Sequence, residues 1–284
     1  MKIIFFGSPS PLSLLPFQQL LASTHEVIAL VTESGAVTDF PVVESGSIHE
    51  LAIRHDIEIL SYHGNDFEMI LSDYQVDIIV VSCFSKILPA SIFSLPGYGS
   101  INIHPSLLPA FRGPEPLFWQ YRAGAKVFGI TLHRLSKKID AGDIVAKEKI
   151  DLADGISVDV AKQELGKMAA ELLIETLHQF EQGNLQPVKQ DETLSSYQPW
   201  PEIKDYSLSP GWTGTHIANF ISAYRKPGIY FSCKINNEIF RISDIIAIKP
   251  LPGNLTAGEV IEYNGDVIEF SCNDSLLECR LYRR

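Results

Sequence analysis

The 284-residue chain has only four cysteines, Cys83, Cys233, Cys272 and Cys279, and no two of them are spaced as CxxC. That scarcity argues against a disulfide framework or a cysteine zinc site, and reads as buried free thiols in a reducing, cytoplasmic setting. No apolar run reaches the ~18 residues that a membrane-crossing helix needs, so neither a transmembrane span nor a membrane partner is expected. The opening MKIIFFGSPSP has one Lys and too short an apolar run for a signal peptide, and is expected to be a first β-strand. It also lacks GxGxxG, which argues against a plain dinucleotide dehydrogenase. Positive charge is in short supply: 23 Lys and Arg against 34 Asp and Glu leave a net charge of −11. Phosphate backbones are held by basic side chains that displace counterions, so general nucleic-acid affinity is not expected, although a local basic patch is compatible with the total. Internal repeats and low-complexity tracts are absent as well.

What is present is apolar mass, with 45% hydrophobic and 10% aromatic residues. The length suggests one large domain and a smaller one. Continuous apolar runs at Lys2 to Gly7, Glu26 to Val31, Asp77 to Ser82 and Ser100 to His104 suit strands covered on both faces. Helical stretches at Leu12 to Ser23, Ser47 to His55 and Asn65 to Tyr74 alternate with them. The first half therefore reads as α/β, a doubly wound and mostly parallel sheet. In such a sheet ligands bind beyond the carboxyl ends of the strands, where the strand order reverses.

Strand-like runs follow at Val127 to Leu135 and Asp143 to Ile150, then a long amphipathic helix from Val158 to Gly183. Residues 190–211 are polar and rich in Pro and Ser, which reads as a linker. Beyond it, a short helix at Thr215 to Tyr224 leads into alternating runs separated by turns at Asn236-Asn237 and Asn264-Gly265, expected to build a small antiparallel barrel, OB-like. The expected division is 1–189, 190–211 and 212–284.

Within INIHPSLLPAFRGPEPLFW, Asn102 and His104 lie two apart on a strand and so share one face, at the end of a buried strand. An amide beside an imidazole suits acyl chemistry, because both can hydrogen-bond a carbonyl oxygen that is becoming an oxyanion and the imidazole can exchange a proton. The same pair also fits polar strand-end residues that bond nearby backbone. The turn IDAGDI adds Asp140, which either forms an Asx turn or faces the same crevice. In the second case its carboxylate would orient His104 and favour the protonated imidazole.

The stretches NIHPSLLPAFRGPEPLFW and GITLHRLSKKIDAGDIVAKEKI closely resemble the folate-dependent formyltransferases, whose branches act on glycinamide ribonucleotide, methionyl-tRNA and amino sugars. The resemblance runs from FFGSP to the helix ending near Gly183. It implies that Asn102, His104 and Asp140 are catalytic and that 10-formyltetrahydrofolate is the co-substrate, with no metal required. It also implies that Ser85, Lys86, Ile87 and Leu88 border the pteridine, with the turn of Lys137, Lys138, Ile139 and Gly142 as the opposite wall. Leu88 and Ile87 equally suit burial at a helix start. Gly7, Ser8 and Pro9 at a helix N-terminus, Ser106 and His133 are candidate acceptor contacts, with a simple strand-to-helix turn and a satisfied core histidine as the plainer readings. Arg112 and Gly113 look positional.

Charge separates the possible acceptors. Methionyl-tRNA formyltransferases carry a basic insertion after the second strand, whereas Val31 to Gly46 here holds Glu33, Asp39 and Glu44 and no Lys or Arg. In the tail, eight basic residues from Arg225 onward balance eight acidic ones. A small-molecule amine, such as one on a sugar nucleotide, is therefore favoured over initiator tRNA, which stays open. A formyltetrahydrofolate hydrolase is a further alternative; those enzymes carry an extra domain ahead of the catalytic one, and this chain starts with its first strand.

Overall fold

In a computed structural model covering residues 1–33, 47–64 and 67–283, the four apolar runs of the first half form a parallel sheet. The strands are β1 (Lys2–Gly7), β2 (Glu26–Glu33), β3 (Glu58–Tyr62), β4 (Ile78–Ser82), β5 (Ser100–His104), β6 (Val127–Arg134) and β7 (Ile144–Asp151), in the order β3-β2-β1-β4-β5-β6-β7. Pairing is parallel from β3 through β5, and β6 runs antiparallel to β5. The chain thus winds outward from β1 in one direction and resumes at β4 in the other. Gly7 and Ser82 pair at that reversal. Strands covered on both faces need apolar side chains in both directions, and Ile3, Ile4, Phe5 and Phe6 are all completely buried. Each such side chain contributes about 1.5–3 kcal/mol.

The connecting helices are α1 (Pro11–Leu21), α2 (Ile48–Arg54), α3 (Phe67–Ser72), α4 (Ala90–Phe93), α5 (Pro116–Arg122) and α6 (Val158–Glu181). Ser10 caps α1, and Ser47 with Glu50 forms a reciprocal capping box on α2. Along α6, Leu165, Ala169, Leu173, Leu177 and Phe180 are buried at helical spacing, and Gly183, at φ +68°, follows its end.

The chain divides into two compact units. One comprises Met1–Pro116, Val127–Ile150 and Lys162–Pro199; the other comprises Leu117–Lys126, Asp151–Ala161 and Trp200–Arg284. The second unit holds β8 (Ser207–Leu208), α7 (Gly214–Tyr224), β9 (Phe231–Ile235), β10 (Glu238–Pro250), β11 (Val260–Tyr263), β12 (Val267–Ser271) and β13 (Ser275–Leu281). Its six strands run β11-β12-β13-β10-β9-β8, antiparallel except for β8 beside β9. Asn236 and Asn237 both adopt positive φ, the backbone that a two-residue hairpin between right-twisted strands requires. Phe118, Phe220 and Phe231 pack edge to face in its core.

One expectation needs adjustment. β3 was not read from the sequence: EILSY is a short edge strand with polar residues at Glu58 and Ser61, so it shows no continuous apolar run. Residues 34–46, most of the acidic stretch Val31 to Gly46 including Asp39 and Glu44, lie outside the described residues, as do 65 and 66 at the start of the third expected helix. The cysteines are free thiols as expected, three of them fully buried. Among the described residues no helix is long and apolar enough to cross a membrane.

Candidate active site

His104 is the last residue of β5 and is buried, 4% exposed. Its Nε2 lies 2.9 Å from the carbonyl oxygen of Phe111. A carbonyl can only accept, so Nε2 carries a proton and donates it there. Nδ1 is then the nitrogen that can take up or release a proton, and it sits 3.8 Å from Oδ2 of Asp140. Phe111 adopts φ +59°, which turns the FRG segment back toward the strand end.

Asp140 itself sits at φ +49°, an uncommon conformation for a residue with a Cβ. Its Oδ2 accepts the backbone N–H of Gly113 at 2.8 Å. The other oxygen lies 3.4 Å from Nε2 of His133. His133 Nδ1 donates to the Arg134 carbonyl at 2.9 Å, which orients that ring. Its Nε2 is also 3.1 Å from Nδ2 of Asn102. The β5–β6 register places Asn102 opposite His133 and His104 opposite Thr131, so strand pairing brings the amide and both imidazoles to one place. The three residues predicted as catalytic therefore meet, and His133 joins them.

Burial pushes the His104 imidazole below its usual value, outweighing the pull of Asp140 in the other direction. Asp140 does favour the protonated imidazole, as expected, but the ring is enclosed, and enclosure penalises its charged form by more. For Asp140, burial alone would push the carboxyl up, but His104, His133 and the Gly113 N–H outweigh it and hold the carboxyl at about 2. The free site is thus imidazole beside carboxylate.

Both shifts make the folded chain bind protons less readily than the unfolded one, so stability falls as pH drops. The His104 contribution is lost from the usual imidazole value near 6.5 downward, and that of Asp140 from its usual 3.8 toward about 2. Burial also lowers His25, His49 and His216. We therefore expect a His104→Gln variant to lose less stability than the parent between pH 7 and 5, measured by urea midpoints. Equal losses would contradict the assignment.

The remaining predicted contacts divide. Ser85, Lys86 and Ile87 are exposed beyond the end of β4, and Ser85 donates through both N and Oγ to the Glu33 carboxylate at 2.5 and 2.8 Å. Leu88 belongs to the hydrophobic core with Ile4, Phe6 and Val81, so only its neighbours are presented outward. Lys137, Lys138 and Ile139 are exposed, while Gly142 is buried where a Cβ would overlap the Arg134 carbonyl. Ser106 is fully buried, and its hydroxyl donates to the Ala110 carbonyl at 2.8 Å, bracing the loop instead of facing outward. Gly7 is buried; the Ser8 N–H is already held by Ser13 Oγ at 3.2 Å, and Pro9 has no N–H to offer.

Four groups escaped the sequence reading: the Phe111 carbonyl, the Gly113 N–H, Thr131 and Gln190. Thr131 Oγ1 donates to the Ser106 carbonyl and accepts from Leu108 N, tying the HPSLLP loop to β6. Backbone groups have no sequence signature, and Gln190 lies in a stretch that read as linker. Among the described residues no group of His, Cys, Asp and Glu side chains is arranged to hold a metal ion.

A family model described as formyl transferase matches residues 1–177. Over an alignment of 288 residues the chain is 30% identical to the methionyl-tRNA formyltransferase of Bacillus velezensis, covering 97% of this chain and 88% of that one. Among solved structures, WlaRD, described as a sugar 3N-formyl transferase in the presence of dTDP and 5-N-formyl-THF, superposes with a TM-score of 0.71 at 19% identity, covering 100% of this chain and 99% of that one. A HypX variant from Aquifex aeolicus superposes with a TM-score of 0.58 at 18% identity over 98% of this chain. The chain spans 45% of that HypX. At these identities the two structures establish a shared fold.

Proposed function

The chain belongs to the formyl transferase family, and on that basis we propose that it moves a formyl group from 10-formyltetrahydrofolate to the primary amine of a small molecule, with Asn102, His104 and Asp140 as the catalytic groups. The observation that carries the proposal is the meeting of these three side chains at the end of β5. The donor supplies the formyl carbon and, at N10, the leaving nitrogen. Asn102 uses one amide hydrogen toward His133 and has the second for the formyl oxygen as that oxygen becomes an oxyanion. His104, neutral in the free site, takes a proton from the attacking amine at Nδ1 and returns it to N10. Asp140 stabilises the imidazolium in between. One C–N bond forms, one breaks, and the proton balance closes through His104 with no metal in the scheme. Lys86, Lys137 and Lys138 supply exposed positive charge suited to the carboxylates of the donor's tail. Cytoplasmic location is consistent with the reading and is proposed with it.

The net charge of −11 favours a small amine, such as one on a sugar nucleotide. WlaRD is described as a sugar formyl transferase, which agrees in kind. Transfer to methionyl-tRNA is the second reading, favoured by the activity for which the Bacillus velezensis relative is named. An absorbance assay of tetrahydrofolate release against a panel of amines, including amino-sugar nucleotides and charged initiator tRNA, decides between them. Turnover is expected with a small amine and not with the tRNA. Turnover with tRNA alone would replace the acceptor, formate release without any amine would mark a hydrolase, and no turnover with any amine would remove the proposal.

A further inference from the structure

Gln190 has four hydrogen-bonding positions on its side-chain amide, and all four are used. Nε2 donates to the carbonyl of Asp140 at 2.8 Å and to that of Gly142 at 2.7 Å. Oε1 accepts from Nε and Nη2 of Arg112, at 3.2 and 2.8 Å. Carbonyls only accept and a guanidinium only donates, so the amide has one permitted orientation. Arg112 is 7% exposed and also pairs with Glu192. Its neighbour Phe111 is held by Ser196, whose Oγ accepts the Phe111 N–H at 2.8 Å.

A single stretch, 188–198, therefore grips both turns that complete the site. One is the turn at Asp140; the other presents the Phe111 carbonyl to His104. Asp140 occupies a left-handed backbone that a residue with a Cβ holds only when its surroundings enforce it. The carbonyls of Asp140 and Gly142 would otherwise lack these donors.

We propose that Gln190 is a positioning residue of the site: by clamping the Asp140–Gly142 turn to Arg112 it sets the placement of the Asp140 carboxylate against His104. The inference rests on the reading of His104 and Asp140 as catalytic. Gln190 touches no reacting atom and acts through the turn.

The test uses Gln190→Met, which keeps an unbranched side chain of similar length and adds no charge, and Gln190→Glu, which keeps an acceptor for Arg112 but removes both donors. Histidine NMR titration of the full-length chain reads the midpoint of His104 without any acceptor. In Gln190→Met that midpoint is expected to fall further, because the carboxylate that raises it drifts away, with the chain less heat-stable than the parent but still folded at the temperature of the titration. For both variants kcat should drop about 10- to 100-fold with little change in the KM of an amino-sugar nucleotide probe, the scale of a misplaced catalytic group. A His104 midpoint unmoved in a folded Gln190→Met chain would overturn the proposal, as would a loss of activity that only tracks loss of folded protein. His104→Ala measured alongside separates the levels. If His104→Ala is inactive and Gln190 substitution is silent, only this inference falls. If His104→Ala retains turnover, the catalytic reading beneath it falls.

Discussion

Replacing His104 with Ala, or Asn102 with Ala, is expected to lower turnover about 100-fold or more while leaving the fold in place, the scale on which removing one oxyanion donor acts. The two substitutions remove different things. Asn102→Ala takes away the amide hydrogen available to the formyl oxygen and leaves His133 Nε2 without its 3.1 Å partner. His104→Ala removes the imidazole proposed to carry a proton between the two nitrogens, and it frees the Phe111 carbonyl, which water can then satisfy. Because both act on one transition state, the double variant should be little slower than the worse single one. Steady-state kinetics with circular dichroism as the folding control check this. Near-parental turnover in both single variants would leave the proposed chemistry without its machinery.

Gly113→Ala should combine loss of activity with loss of stability. Gly113 has φ +112°, in the region that disfavours L side chains, and a Cβ on it would overlap the Gln198 carbonyl oxygen. Backbone strain alone costs about 1–3 kcal/mol at such a position, before the overlap is relieved. Relief requires the turn to move, and the moving atom is the Gly113 N–H that holds Asp140 Oδ2. Activity is therefore expected to fall by at least the factor expected for loss of a positioned carboxylate, about 10-fold or more. Gly183→Ala is the control: its φ is +68°, yet nothing lies within 4 Å of an added Cβ. It should show the strain in its urea midpoint and none of the activity loss. Equal behaviour of the two variants would mean that the Gly113 turn has no special link to the site.

The strands that were legible beforehand were those whose burial on both faces forces an apolar run, as in KIIFFG and DIIVVS. EILSY was passed over because an edge strand needs no such run. Asn102 and His104 were legible because strand periodicity puts them on one face, and Asp140 because a polar turn between strands narrows where a carboxylate can sit. The protonation of His104 was not legible, since it depends on how completely the ring is enclosed. Nor was Gln190: its partners lie 48 to 78 residues away, and nothing local marks it apart from the polar residues around it.

The antiparallel pairing of β5 with β6 has a bearing on how this chain can change over time. Alternate residues of a strand face opposite ways, so deleting or inserting one residue in either strand would swing His133 away from Asn102, or His104 away from Thr131. Descendants of this sequence can exchange side chains here one at a time, but growth and shrinkage must be confined to the loops.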